Sequence, residues 1–171
     1  AKDRANQLEA VLKALPKADI QIVGGDFNCS TFNLRRKGEL AVQVITKFFT
    51  VGFKGAIENY MTPEVKFDKP MFDKLLAYNF DFENFNDRDK GTIYFDMNDL
   101  LTNEKSKNFV PPFFLRYLVR KLRPWNGRVP LKIDWLAGKN CIVKNTQTIE
   151  NPMINNTLLS DHNPIFVDIE V

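Results

Sequence analysis

The chain has 171 residues, 44% of them hydrophobic and fifteen of them Phe, so it can form one domain with a sizeable core. Its net charge of +3 tolerates a phosphate-bearing substrate but does not indicate one, because nucleic-acid binding is marked by a clustered basic face. No run reaches the ~18 apolar residues that a membrane span needs. Cys29 and Cys141 have neither metal-ligand spacing nor a disulfide-framework pattern, and we expect both to be small buried residues. Nothing here indicates a membrane-spanning or disulfide-rich protein, and the compartment stays open.

The first predicted elements are a helix and a buried strand. In "AKDRANQLEAVLKALPK" (1–17), Leu8, Val11, Leu12 and Leu15 recur at helical spacing, which predicts one apolar face. Pro16 should end this helix. The segment "ADIQIVGGDFN" (18–28) then predicts a short buried strand that runs into a Gly-Gly turn.

The middle of the chain is less regular. Residues 38–51 have apolar residues at helical spacing and predict a helix that stops at Gly52. Residues 54–108 are polar and aromatic without a clear period, and "NFDFENFNDRDKG" (79–91) suggests calcium at first sight. The EF-hand template fails there, because Gly91 at loop position 6 puts Arg88 and Lys90 at ligand positions. We therefore expect a solvated loop.

The segment "VPPFFLRYLVRKLRPWNG" (110–127) predicts a helix that stops before Pro124. Its basic residues alternate with aromatic ones, a combination that can bind a phosphate backbone and stack on bases. The simpler alternative is an amphipathic helix with a solvated basic face. Arg120, Arg123 and Trp125 are our candidates for substrate binding. Two strand-like segments follow, at 130–143 and 163–171, and the element order predicts an α/β or α+β protein.

Three motifs place an aspartate at a predicted strand end, where active sites of α/β sheets are often found. They are "GGDFN" (24–28) with Asp26, "KIDWL" (132–136) with Asp134, and "LSDHNP" (159–164) with Asp161. The third motif also contains His162, the only histidine of the sequence. Each motif alone is equally typical of a turn residue or a helix cap.

In this order, the motifs resemble those of the endonuclease/exonuclease/phosphatase superfamily, whose fold is that of DNase I and exonuclease III. The matching segments are "RANQLEAVLKAL" (4–15), "GDFN" (25–28), "KIDW" (132–135) with Lys in place of Arg, and "SDHNP" (160–164). The resemblance implies one domain over 1–171 that forms half of a four-layer α/β/β/α sandwich. Its sheet would be mixed or mostly antiparallel, with helices on the outer face.

The resemblance also implies a site that hydrolyses phosphate esters, which requires an activated water and positive charge near the phosphate oxygens. Asp26 would hold or deprotonate the water, and Asn28 would contact a phosphate oxygen or align Asp26. His162 would contact the scissile phosphate, and Asp134 would orient its imidazole. Asp161, with Asp26, would bind Mg²⁺ or Mn²⁺, hard cations that prefer oxygen ligands. Whether Asp26 or His162 is the general base stays open.

The family's first half, with a metal-binding glutamate in a "QE" motif, has no counterpart in these residues. We therefore expect this chain alone to have little activity and to pack its uncovered sheet face on the missing half or on a second copy. Phosphodiester hydrolysis of DNA or RNA is the preferred function. The alternatives are a phosphatase or phospholipase-C-like hydrolase of phosphoinositides or sphingomyelin, and an inactive family member that serves as a binding module.

Overall fold

The computed structural model describes residues 2–29, 50–96 and 112–171, which form a mixed α+β protein. The helices are α1 (Lys2–Ala14), α2 (50–61), α3 (Lys69–Ala77) and α4 (Pro112–Lys121), and a 3-10 turn covers Arg123–Trp125. The strands are β1 (Gln21–Asp26), β2 (Ile93–Asp96), β3 (Arg128–Leu131), β4 (Asp134–Lys139), β5 (Ile142–Thr148), β6 (Met153–Ile154), β7 (Thr157–Leu158) and β8 (Ile165–Glu170). The four strand pairs β1–β4, β2–β3, β5–β8 and β6–β7 are all antiparallel. Most of the helix predicted over 38–51 lies outside the described residues, and residues 50–61 are helical through Gly52 rather than ending there.

The pair β1–β4 packs on α1 and α3 with one face, and Phe85 covers the other face at Gly138. Trp135 and Ala137 alternate along β4 and are fully buried. They pack with α1 and α3 in the first of two apolar clusters. Its buried members are Ala5, Leu12, Cys29, Met71, Phe72, Leu75, Phe80, Phe82, Trp135 and Ala137. The opposite face of the pair carries Leu136, with Asp26 and Asp134 at its end.

Helix α1 contacts α3 through a different stripe from the one that the sequence predicts. Ala5 and Leu12 are buried and Leu8 and Leu15 pack beside them, whereas Val11 is 52% exposed. The stripe therefore follows the spacing i, i+3, i+7, i+10, and it includes Ala5 instead of Val11. Pro16 follows the helix, which ends at Ala14 as predicted.

The segment at 79–91 is not the solvated loop that we expected. Its phenylalanines Phe80, Phe82 and Phe85 and its amide residue Asn86 are buried. The segment runs along the edge of β4, because Asp81 and Gly138 exchange backbone hydrogen bonds of 2.8 and 2.9 Å. Residues in the region that looked irregular therefore form part of the core.

The strand predicted over 130–143 is two strands, because the chain changes partner at Lys132 and Ile133. Strand β3 pairs with β2, and β4 begins at Asp134 and pairs with β1. The side chain of Lys132 is fully buried, which is unusual for a lysine, and its ammonium donates to the carbonyl of Asp87. Cys141 follows β4 and is half-buried, so only Cys29 has the full burial that we expected.

The predicted helix at 110–127 is present as α4, and its apolar side packs with α2 in the second apolar cluster. Strand β8 is the last strand of the chain and pairs with β5. Every side chain of β8 is exposed or half-buried. Among the residues that the structure describes, no helix is long and apolar enough to cross a bilayer.

Candidate active site

Two of the predicted aspartates face each other at one end of the β1–β4 pair. Asp26 is the last residue of β1, Asp134 is the first residue of β4, and the antiparallel register makes them direct partners. Side chains of directly opposed residues in an antiparallel pair lie on the same face of the sheet. The sheet register therefore brings together two residues that are 108 positions apart (134 − 26) in the sequence.

The histidine joins these carboxylates from a separate segment. His162 precedes β8 and is held by a backbone bridge to Ile93 at the start of β2. Its Nδ1 lies 2.9 Å from Oδ2 of Asp134, and the two side chains are 32% and 20% exposed. The backbone N–H of His162 donates to the hydroxyl of Ser160 at 3.0 Å, which shapes the turn before it. This geometry leaves Nε2 as the ring nitrogen available to a substrate.

Asp26, Asp134 and His162 form one cluster, in which one ligand atom from each residue lies within 4.8 Å of the others. This donor set fits a hard divalent cation through its carboxylates, since Mg²⁺ is usually held by one or two carboxylates together with waters and substrate phosphate. The imidazole is a poorer ligand for such an ion, and its Nδ1 already bonds Asp134. Asp26 and Asp134 would therefore hold the ion, and His162 would contact the substrate.

Asn28 lies two residues after Asp26 in a tight turn. Its φ of 50° is left-handed, a conformation that Asn tolerates better than most residues. Its backbone N–H donates to Oδ1 of Asp26 at 2.7 Å, which fixes the rotation of that carboxylate. Arg4 of α1 donates to the carbonyl of Asn28 and also pairs with the buried Asp68, so α1 positions this turn. The backbone of Asn28 therefore aligns Asp26, and the expected role of its side-chain amide stays a prediction.

Asp161 is exposed and does not belong to the three-residue cluster found among the described residues. Its role as a metal ligand stays a prediction. Asp134, in contrast, was expected only to orient the histidine, and the structure also brings one of its carboxylate oxygens within 4.8 Å of a carboxylate oxygen of Asp26. The cleft beside this cluster is lined by side chains of β4 and of the segment before β8, including Leu136, Ser160 and Pro164.

The predicted substrate-binding residues lie on α4 and the 3-10 turn after it. Arg120 and Arg123 are exposed, and no ion pair among the described residues includes them. Trp125 packs against the second apolar cluster, which leaves only part of its ring available for stacking. Their contact with a substrate stays a prediction.

Two residues of this site were missed by the sequence analysis. Thr92 and Asn163 are both buried and link the segments that carry Asp134 and His162. Asn163 lies inside the "SDHNP" motif, so its position pointed to it; Thr92 stands in the region without periodicity, where no signal marked it.

Comparisons of this chain with protein-family models, with curated proteins and with solved structures gave no match.

Proposed function

We propose that this chain carries the catalytic centre of a divalent-metal-dependent phosphoesterase that resembles the endonuclease/exonuclease/phosphatase superfamily. The proposed reaction is phosphodiester hydrolysis of nucleic acid. The observation that carries the proposal is the Asp134–His162 hydrogen bond of 2.9 Å, with the Asp26 carboxylate in the same cluster. The family's four-layer sandwich would place β1 and β4 in one of its two facing sheets, with the carboxylates at the sheet end.

The side chains have separate roles in this proposal. Asp134 accepts a hydrogen bond from the Nδ1–H of His162 and so fixes the tautomer in which Nε2 faces the substrate, as an orienting carboxylate does in other hydrolases. His162 contacts a phosphate oxygen, and Asp26, aligned by the Asn28 backbone, orients the attacking water. A bound Mg²⁺ would supply charge stabilisation for the phosphate oxygens and lower the pKa of a coordinated water.

The preference for nucleic acid rests on α4. Its exposed side chains include Arg116, Arg120, Lys121 and Phe113, which is 74% exposed, and Arg123 is exposed in the 3-10 turn that follows. Exposed cations interleaved with an exposed aromatic ring suit a strand that offers both phosphates and bases. Phosphoinositide and sphingomyelin hydrolysis remain the alternatives, since the same carboxylate and imidazole chemistry serves any phosphate ester.

The test is His162→Ala in the full-length protein that contains this chain, assayed with Mg²⁺ on DNA, RNA, phosphoinositides and sphingomyelin. We expect hydrolysis of nucleic acid that EDTA abolishes and that the substitution lowers by about 10²–10⁴-fold, the usual contribution of a positioned acid–base group. Asp168→Asn is the matched control, because Asp168 is an exposed carboxylate on β8 outside the cluster. Unchanged turnover in His162→Ala would contradict the site, and hydrolysis of a lipid alone would contradict the substrate.

A further inference from the structure

Thr92 is a fully buried residue that contacts the backbone on which Asp134 stands. Its hydroxyl oxygen accepts two hydrogen bonds, from the N–H groups of Ile133 and Asp134, each at 3.0 Å. A hydroxyl oxygen has two acceptor lone pairs, so these two bonds use its full accepting capacity. The start of β4, where the chain changes from one strand partner to another, is therefore held by one side chain.

The backbone around Thr92 also contacts the segment that carries the histidine. The carbonyl of Thr92 accepts the N–H of Asn163 at 2.6 Å, and the neighbouring Ile93 forms the backbone bridge with His162. The side-chain amide of Asn163 donates to the carbonyl of Gly91 at 3.0 Å. The three residues 91–93 thus hold the backbone of His162 itself and its chain neighbour Asn163.

Gly91 is needed for this close approach. A Cβ at this position would lie 3.1 Å from the carbonyl oxygen of Leu131 and 3.2 Å from that of Ile93, tighter than most such contacts. The N–H of Thr92 donates to the same Leu131 carbonyl at 2.9 Å. The segment is packed between β3 and the His162 segment, so Thr92 has little freedom to move.

We propose that Thr92 is the positioning residue that sets the distance between Asp134 and His162. Its side chain holds the backbone of the carboxylate, and its carbonyl holds the backbone beside the imidazole. Removing the hydroxyl of Thr92 would break its two hydrogen bonds to the start of β4. The side chains of Asp134 and His162 would stay unchanged. The catalytic meaning of this role rests on the proposed function, but the Asp134–His162 hydrogen bond itself does not.

Two substitutions separate positioning from simple core packing. Thr92→Val keeps the shape of the side chain and removes the oxygen, whereas Thr92→Ser keeps the oxygen and removes the methyl group. A residue that only fills space would tolerate Val better than Ser. A positioning residue that acts through Oγ1 would show the opposite order.

The readout is the imidazole itself, because His162 is the only histidine and its side-chain NMR signals need no further assignment. In the wild type and in Thr92→Ser we expect long-range ¹H–¹⁵N spectra of the Nδ1-protonated tautomer with an exchange-protected Nδ1–H. In Thr92→Val we expect this protected proton to be lost and the two tautomers to be mixed. A folded Thr92→Val protein with the wild-type imidazole spectrum would overturn the proposal.

A second measurement covers the case in which Thr92→Val does not fold. In the wild type, the amides of Ile133 and Asp134 should be protected from hydrogen exchange, because both donate to the buried hydroxyl. Rapid exchange of these two amides, comparable to that of exposed loop amides, would also overturn the proposal.

Activity then separates the two proposals. In an active full-length protein, we expect Thr92→Val to lower kcat by about a hundredfold, the effect of a misplacement of roughly 1 Å, with KM changed less than kcat. Thr92→Ser should restore most of kcat. If the expected spectra are obtained but the wild type hydrolyses no phosphate ester, the positioning role stands and the proposed function fails.

Discussion

At the scale of single residues, Lys132 is the least expected feature near the site. It lies two positions before Asp134, its side chain is fully buried, and its ammonium donates to the carbonyl of Asp87 and stands 5.2 Å from the centre of the Trp135 ring. Burial is the main cause that lowers its pKa to about 8, and nearby Arg88 lowers it further, while Asp87 partly offsets both. A charged lysine is therefore held in the core at neutral pH at an energetic cost.

This cost should depend on pH. Between the folded pKa of about 8 and the unfolded value of 10.5, the unfolded chain binds a proton that the folded chain has lost, so the free energy of unfolding rises with pH. The shift corresponds to about 3 kcal/mol at most. We expect the stability of Lys132→Met relative to wild type to fall as pH rises from 8 to 10, measured by urea unfolding.

Taking the difference between the two proteins removes the contributions of groups that they share. Burial raises the pKa of Cys29 and of Tyr60, and it raises that of Tyr94 to about 12, so all three weaken folding at high pH in both proteins equally. A stability difference that stays constant over this pH range would show that Lys132 is not desolvated as described.

The site shows what residue patterns can and cannot predict. Asp26, Asp134 and His162 were predictable, because each lies within a recognisable motif next to a predicted strand. The antiparallel register then brings Asp26 and Asp134 together. Thr92 was not predictable, since its role depends on a hydroxyl that accepts two N–H groups from residues 41 and 42 positions away. Such a contact leaves no period in the sequence.

At the scale of elements, the segment at 79–91 acts as a substitute strand. Asn86 is buried, and its amide donates to the carbonyls of Phe82 and Leu136, each at 2.7 Å. Its Oδ1 accepts the N–H of Leu136 at 3.0 Å. One side chain therefore provides the pairing that a neighbouring strand would give β4. The sequence predicted a solvated loop here, because the segment is rich in Asn and Asp, which are typical of loops. Nothing in that composition indicates that one of these side chains pairs with the backbone of β4.

Asn86→Ala tests this role. The substitution leaves the N–H and carbonyl of Leu136 without their partner at the edge of β4, and each unsatisfied group costs about 1–3 kcal/mol. We expect a loss of about 3 kcal/mol in the free energy of unfolding, measured with urea. The matched control is Asn84→Ala. Asn84 is an exposed asparagine of the same segment, and its side-chain amide donates to the carboxylate of Asp81. Equal effects of the two substitutions would contradict the substitute-strand role.

At the scale of the whole molecule, the strands are covered unevenly. Trp135 and Ala137 of β4 are fully buried, but every side chain of β1 and β8 is exposed or half-buried. Ile22 of β1 and Phe166 of β8 are 45% and 47% exposed. Strands this apolar usually pack against another layer, and an exposed apolar surface of several side chains favours association. The sequence-based expectation of a partner for an uncovered sheet face stays a prediction.

We therefore expect the 171-residue chain on its own to associate with itself. Ile22→Thr combined with Phe166→Thr should shift sedimentation-velocity profiles toward the monomer, because these substitutions remove apolar area without touching the buried face of β4. Val65→Thr is the control, since Val65 is 66% exposed and lies outside the strands, and it should leave the profile unchanged. A compact monomer for the unmodified chain would contradict the prediction. An equal shift for Val65→Thr would mean that general surface hydrophobicity, rather than β1 and β8, drives association.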